Sequence, residues 1–261
     1  MVDIETKEPL IVMRTLWLLE KLCNLDECFR DNREEKLQAI FESLVPKFAP
    51  SLAPDAEPSA AFESFPVKYQ CLRTLYRYTK RINLKQTYDT DKRYIQILGA
   101  ILEEINIKLL ASCNEDTVHI PIQALAYYCQ VDAEATRLYA SDPSRGLMQR
   151  IAALYDKYHQ DGLLGDDIVD LIKILAAISG NEGFKQVFWP VIERTIEVFY
   201  QCVVGINTED APNQQKAQMR EEAQRLVDSN QLKSVLSIFN AYLLRNSDAT
   251  GAAATSTAEQ Q

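Results

Sequence analysis

The sequence predicts an all-α fold, arranged as a helical-repeat solenoid or α-α superhelix. Apolar residues recur at helical spacing along most of the 261 residues. Paired amphipathic segments open near Pro9, Pro66, Asp116 and Asp166, a period on the order of 50 residues. No alternating apolar run bounded by hairpin turns competes with this assignment. Because two helices cannot bury their stripes alone, successive pairs must stack, leaving long shallow surfaces that suit binding to macromolecules.

Residues 1–48 are predicted to form the first helical pair. Its first helix runs from Pro9 to Cys23, behind an N-terminal proline. Its apolar stripe is Leu10, Met13, Leu16 and Leu19, with Trp17 beside it. The second helix spans Glu34 to Phe48, with a stripe of Leu37, Ile40, Phe41 and Leu44. The segment 49–65 contains three closely spaced prolines, which cannot continue a helix, and is predicted to be an exposed loop.

Residues 66–206 are predicted to add three more pairs of the same solenoid. The second pair opens at Pro66, and its second helix runs from about Thr90 to Leu109. The first of these helices carries Leu72, Leu75, Thr79 and Ile82 on one face. The other carries Tyr94, Leu98, Ile101, Ile105 and Leu109. This spacing makes it the clearest helical hairpin of the chain.

The third pair is predicted from Asp116 to Val131 and from Pro143 to Tyr158. Pro121 is compatible with the first of these helices only in its first turn or at a kink. A short helical turn at 132–139 joins the two helices. The second helix places Leu147, Ile151 and Leu154 on its stripe.

The fourth pair is predicted to begin at a cap formed by Asp166 or Asp167 and to break at Gly180. Its first stripe is Ile168, Leu171, Ile172, Leu175 and Ile178. Its second is Phe188, Ile192, Ile196, Phe199 and Val203. Residues 207–246 are predicted to form C-terminal helices with a break near 228–230, and the Ala-, Thr- and Ser-rich tail 247–261 to be disordered.

The charge balance bears on the class of partner. The formal net charge is −9 and the isoelectric point is about 4.9. Nucleic-acid-binding surfaces are strongly basic, so direct nucleic-acid binding is not expected, whereas a basic protein partner is compatible with this charge. A moderate acidic excess can also serve only solubility. The amino terminus does not resemble a secretory signal and the apolar runs are too short to cross a bilayer, so we expect a soluble, intracellular protein without a membrane partner.

Residues that carry chemistry are sparse. Six cysteines are scattered without a C-x-x-C pair, which indicates reduced thiols rather than a disulfide framework or a zinc site. Cys113 and His119 offer at most a weak nucleophile pair, because no third orienting group is evident. Glycine-rich phosphate loops are absent from the sequence. We therefore predict neither catalysis nor a cofactor or metal site.

Two sets of charged residues are candidate contacts with partners. A basic stripe interleaved with Tyr76 and Tyr78 could hold an anionic partner, or it could be a solvated face that pairs with acids on a neighbouring helix. The stripe consists of Arg73, Arg77, Lys80 and Arg81. A set of acids on the second helices could line one surface of the solenoid, or could be scattered solvation. These acids are Glu103, Glu104, Asp156, Glu193 and Glu197.

Short motifs stand in collinear order between Pro9 and Phe199. They are Arg14-Thr15-Leu16-Trp17, Val67-Lys68 with the run 73–78, the run 131–136, Lys157-Tyr158 with Asp161, and the run 170–178. They resemble segments of the central HEAT repeats in the importin-nine branch of the importin-beta, or karyopherin-beta, family. The proline-rich stretch after Phe48 and the chain from Asn207 onward depart from that pattern.

The resemblance implies an armadillo-like HEAT-repeat segment of a nuclear import receptor, found in cytoplasm and nucleus. Such receptors bind basic cargo, notably core histones and ribosomal proteins, and are discharged by the Ran GTPase. Members are several times longer and hold Ran largely with N-terminal repeats, so Ran binding would use regions outside this chain. The acids named above would contact cargo on the inner surface, with Arg73, Arg77 and Arg81 as further partner contacts. The competing interpretation is a helical-repeat scaffold of a multiprotein assembly without a role in transport.

Overall fold

The computed structural model describes residues 8–23, 25, 33–55, 59–82, 84–88, 93–131, 133–140, 142–160, 169–173, 181–207, 212–228, 232–241 and 243. Within these ranges the chain is mostly helical and contains no strand, which confirms the all-α prediction. The chain divides into two compact units, Met1–Tyr139 and Ala140–Gln261. We call them unit 1 and unit 2 and describe each by itself.

Eight α-helices begin in the described part of unit 1. They are α1 (Pro9–Cys23), α2 (Arg33–Phe48), α3 (Ala60–Glu63), α4 (Phe65–Thr79), α5 (Leu84–Tyr88), α6 (Arg93–Glu104), α7 (His119–Val131) and α8 (Ala133–Ala140). A π-helical turn, Ile105–Leu109, continues α6. The predicted bounds of α1 are confirmed, and α2 begins one residue earlier than predicted.

Helix α4 lies at the centre of unit 1. It packs most extensively against α1 and also contacts α2, α3 and α7. Of its predicted apolar face, Leu72, Leu75 and Thr79 are buried. Burial extends well beyond that stripe, because neighbouring helices cover α4 on several sides. The additional buried residues are Val67, Lys68, Cys71, Thr74, Tyr76 and Tyr78.

The predicted stripe of α1 was partly wrong. Leu16 and Leu19 are buried, but Leu10 and Trp17 are about half exposed, at 53% and 49%. The face that packs instead comprises Val12, Leu16, Leu19, Glu20 and Cys23. Apolar residues surround most of α1, so spacing alone could not decide which side α4 would cover.

The segment 49–65 is not simply an exposed loop. Ala49 is fully buried, and Pro50–Leu52 form a 3₁₀ turn that contacts α2 and α6. The short helix α3 buries Ala61 and Phe62. Proline is tolerated in the first turn of a helix, so this segment keeps helical pieces and packs its apolar residues against them.

The helices predicted for the second and third pairs are largely confirmed at the level of individual residues. The five stripe residues predicted for the second helix of the second pair are all buried in α6 and the π-helical turn. Helix α7 begins at His119 rather than at Asp116, and Pro121 lies in its first turn as expected. The predicted turn at 132–139 corresponds to α8. In unit 2, Leu147 and Ile151 are buried, whereas Leu154 is half-buried.

Unit 2 contains α9 (Leu147–Gln160), α10 (169–173), α11 (Asn181–Asn207), α12 (Asn213–Asp228) and α13 (232–241). Helix α11 contacts α9 and α12. Gly146 precedes α9 with a φ of 61°, a left-handed conformation that glycine adopts without steric cost. Further along, the Trp189 and Phe239 rings lie 5.6 Å apart and join α11 to α13.

The predicted stripe of α11 holds at one end only. Phe188 and Ile192 are buried, but Val203 is exposed, and Thr195 and Cys202 are buried in its place. Over 27 residues a fixed stripe drifts around the helix, so the packed face changes along its length. Near its end, Gly205 lies against the Met219 side chain of α12. The predictions for 166–168, Leu175, Ile178, Gly180 and the tail 247–261 fall outside the described residues.

Candidate protein-binding surfaces

Part of the basic stripe is used inside unit 1. Glu20 of α1 is only 3% exposed, and its carboxylate accepts hydrogen bonds of 2.9 Å from Arg73 Nε and from Gln70 Nε2. Arg77 Nε lies 3.9 Å from the same carboxylate. These contacts favour the alternative in which the stripe pairs with an acid on a neighbouring helix. A buried carboxylate is tolerated because it is both paired and hydrogen-bonded.

The rest of the stripe has different neighbours. The Lys80 ammonium group lies 4.2 Å from the Tyr76 ring centroid and 5.8 Å from that of Tyr127 on α7. Arg81 follows α4 and is half-buried. Because Arg73 turns towards α1 and Lys80 towards α7, the four cations do not form one continuous basic surface.

Two of the predicted acidic contacts are half-buried and have partners within unit 1. Glu104 Oε2 lies 2.5 Å from the ammonium group of Lys68, which is 2% exposed. Glu63 lies 3.9 Å from the same ammonium group. Glu103 accepts a 2.6 Å hydrogen bond from the Tyr139 hydroxyl, to which Asn106 Nδ2 also donates at 3.2 Å. Both carboxylates are therefore engaged in contacts that hold unit 1 together.

Of the three predicted acidic contacts in unit 2, one forms an ion pair and two are exposed without one among the described residues. Asp156 on α9 forms an ion pair with Arg194 at 3.5 Å. Glu193 and Glu197, one helical turn apart on α11, are exposed, and no ion pair is found for either within the described residues. Tyr200 and Val204 continue the same side of the helix, and Tyr200 is 61% exposed. We call these four residues the acidic face of α11.

Sequence reasoning missed a second surface, on α1. Large apolar side chains are exposed along the side of this helix that α4 does not cover. They are Leu10, Ile11, Trp17, Leu18 and Leu22, followed by Leu25 just beyond the helix. Arg14 and Lys21 are exposed among them. We call this set the outer face of α1. The continuous apolar run at 16–19 indicated this surface, because four successive residues of a helix cannot all lie on one buried stripe.

Polar side chains of α4 fix the position of α1. The Thr74 hydroxyl donates to the Leu16 carbonyl at 3.0 Å, and the buried Tyr78 hydroxyl donates to the Leu19 carbonyl at 3.0 Å. On the other side of α4, the Thr79 and Tyr128 hydroxyls lie 3.0 Å apart. Buried hydrogen bonds of this kind stabilise one arrangement of the helices relative to others. The outer face of α1 is thus presented from a fixed support.

Burial lowers the reactivity of several cysteine thiols in the described part of the chain. Burial raises the pKa of Cys71 and raises that of Cys129 to about 12. Burial likewise raises the pKa of Cys113 to about 11. A thiol with such a pKa is protonated at neutral pH and is a weak nucleophile. In the part of the chain that the structure describes, no three His, Cys, Asp or Glu side chains cluster as metal ligands.

An open groove lies between α2, the 3₁₀ turn and α6 in unit 1. It encloses about 360 Å³. Its lining includes Phe41, Pro46, Leu52, Ile97, Glu42 and Arg93. Neither a histidine nor a cysteine is among these lining residues.

Comparison with known proteins does not assign the chain. No family model matches it, and neither do any curated protein or solved structure. Among the described helices, none is both long and apolar enough to cross a bilayer.

Proposed function

We propose that this chain is a helical protein-binding module whose acidic face of α11 contacts basic segments of other proteins. The observation that carries the proposal is the exposure of Glu193 and Glu197, one turn apart and without an ion pair among the described residues. Asp156 is paired with Arg194, and Glu103 and Glu104 are held inside unit 1. Of the five predicted acidic contacts, Glu193 and Glu197 therefore remain as the candidates for binding a partner.

Two carboxylates on one helix face suit lysine and arginine side chains that are also spaced along a helix or an extended segment. The attraction between exposed charges steers association and is screened by salt. Tyr200 adds an aromatic ring beside them, and exposed tyrosine is a frequent contact at protein interfaces. Binding should therefore weaken as salt rises without disappearing entirely.

The stacked HEAT-like arrangement is part of this proposal. Helices α1, α4 and α7, which open the first three predicted pairs, are neighbours in that order, with contacts from α1 to α4 and from α4 to α7. Helices α2 and α6, the second helices of the first two pairs, also touch. Stacked two-helix repeats require this relation between successive units.

The family resemblance supplies a specific form of the proposal. As a central segment of an import receptor of the importin-nine type, the chain would bind core histones or ribosomal proteins as cargo, in cytoplasm and nucleus. Ran would act through regions outside the chain. The exposed carboxylates on α11 would meet the basic cargo there.

The test is binding of the purified chain to a core histone dimer across a salt series, with Ran-GTP in a parallel set. We expect micromolar or tighter, salt-sensitive binding by the wild type. The double variant Glu193→Lys/Glu197→Lys should bind at least ten-fold more weakly. The matched control Glu34→Lys/Glu35→Lys changes two exposed acids of α2 and the net charge by the same amount, and should change affinity less than three-fold, roughly.

Equal losses in the two double variants would mean that net charge alone acts, and would reject the acidic face of α11 as the contact. Failure of the wild type to bind histones at low salt would favour the second candidate, a scaffold in a multiprotein assembly. The outer face of α1 favours that candidate specifically, because an exposed apolar helix face marks a site of protein association.

A further inference from the structure

The outer face of α1 is exposed for a reason other than poor packing. The opposite side of the helix is fully engaged, with Val12, Leu16 and Cys23 at 0% exposure and Glu20 paired with Arg73. Two α4 hydroxyls also donate to α1 carbonyls. An apolar surface of several adjacent large side chains is unusual on a soluble protein unless another molecule covers it.

The charges of this face identify the chemistry of its partner. At about 100° per residue, Arg14 and Lys21 fall inside the exposed arc, between Leu10 and Trp17 on one side and the Ile11, Leu18 and Leu22 row on the other. Lys21 lies 5.4 Å above the Trp17 ring, and no anionic partner of Arg14 or Lys21 is found within the described residues. Acids are absent from the first turn of α1, and its single glutamate, Glu20, points inward.

We propose that the outer face of α1 binds an amphipathic helix of a partner protein whose apolar stripe is flanked by aspartate or glutamate. The partner's apolar residues lie against Ile11, Leu18 and Leu22, and its acids pair with Arg14 and Lys21. Helix-on-helix binding uses residues at this spacing of three, four and seven. This surface and its partner differ from the acidic face of α11 and its basic cargo, so neither proposal depends on the other.

Two other occupants fit the face less well. In an antiparallel pair of two copies centred on the outer face, midway between Leu10 and Leu25, Arg14 of one copy lies near Lys21 of the other, and like charges in contact oppose association. A membrane-bound helix carries its cations on the polar side of the apolar stripe, where they reach the headgroups. Here both cations lie within the apolar arc. A protein partner with matching acids satisfies them directly.

The test uses two labelled helical peptides with the same leucine stripe, one flanked by glutamates and the other by lysines. The full chain carries Glu193→Gln and Glu197→Gln, so that the acidic face of α11 does not retain the basic peptide. Fluorescence anisotropy should give a dissociation constant at least ten-fold lower for the acidic peptide than for the basic one. Adding Arg14→Glu/Lys21→Glu should invert this preference, because the two charges that face the peptide change sign. Both positions are exposed, so the substitutions should leave the fold intact.

A second variant, Leu18→Ser/Leu22→Ser, should weaken binding of the acidic peptide at least ten-fold, with an unchanged circular dichroism spectrum. The proposal is overturned if neither peptide binds, or if the charge-reversed chain keeps the original preference. It is equally overturned if Leu18→Ser/Leu22→Ser abolishes a concentration-dependent dimer, which would identify a second copy as the occupant. Binding to phosphatidylserine-containing vesicles that needs Leu18 and Leu22, in place of peptide binding, would identify a lipid surface.

Discussion

Helices α4 and α11 both present charged residues at helical spacing, yet they use them in opposite ways. Helix α4 is surrounded by other helices, and its charged residues Lys68 and Arg73 pair with acids of α6 and α1. Helix α11 leaves Glu193 and Glu197 in solvent. A charge pattern therefore identifies a helix face, but only the neighbouring element decides whether that face binds a partner or stabilises the fold.

The difference has an energetic basis. A charge removed from water is costly unless an opposite charge and hydrogen bonds compensate, so a buried lysine such as Lys68 depends on its carboxylate partner. An exposed glutamate has water as its alternative partner and loses little when it is left unpaired. Mutations should separate the two helices by their effect on the free energy of unfolding.

The largest effect is expected at the Lys68–Glu104 pair. Substituting Glu104→Leu leaves the Lys68 ammonium group buried, and Glu63 at 3.9 Å is then the one acid found near its charge within the described residues. We expect the free energy of unfolding to fall by about 3 kcal/mol or more, measured by urea denaturation. Glu197→Leu on α11, which removes an exposed carboxylate, is the matched control and should change it by less than about 0.5 kcal/mol.

The double variant Lys68→Met/Glu104→Leu sharpens this result. Replacing both members of a buried ion pair with apolar residues of similar size is often neutral, so the double variant should recover most of the stability lost in Glu104→Leu. A double variant as unstable as the single one would show that shape, rather than the unpaired charge, causes the loss.

A smaller effect is expected from Tyr78→Phe in α4. This change removes only the hydroxyl that donates to the Leu19 carbonyl inside unit 1. A buried neutral hydrogen bond contributes about 1 kcal/mol, so denaturation should show a loss of that size. Tyr200→Phe on α11, at a side chain that is 61% exposed, should show none. Equal effects at both tyrosines would contradict the assignment of α4 as the structural helix.

The helices could be predicted from the sequence because apolar spacing and prolines act locally. Pro9 and Pro66 stand at helix starts, and the Leu98 and Ile101 stripe of α6 is buried as expected. The failures concern which side of a helix is covered. Leu10 is exposed and Glu20 is buried, because α4 supplies an arginine at the position that Glu20 faces. That arginine is 53 residues away in sequence, beyond the reach of a local pattern.

The candidate surfaces could be predicted only in part, because a local pattern does not show which side of a helix is covered. Glu193 and Glu197 are exposed, as binding to a partner requires, but Glu103 and Glu104 stand at equally polar helical positions and are engaged by Tyr139 and Lys68. Helical spacing does not distinguish these pairs. The outer face of α1 was not predicted, because an apolar residue in a helix is assigned to the core unless the structure shows that it is exposed.

The smallest effect is expected at the acidic face of α11 itself. Glu193→Gln/Glu197→Gln keeps the size and helical compatibility of both side chains and removes two exposed charges. The free energy of unfolding should change by less than about 0.5 kcal/mol, because neither carboxylate has an ion pair within the described residues. The measurement is urea denaturation, with histone affinity determined on the same samples. A loss above about 1 kcal/mol would mean that the two acids support the fold as Glu104 does, and the contrast between α4 and α11 would fail. Unchanged stability together with weaker histone binding is the combination that an exposed binding face should produce.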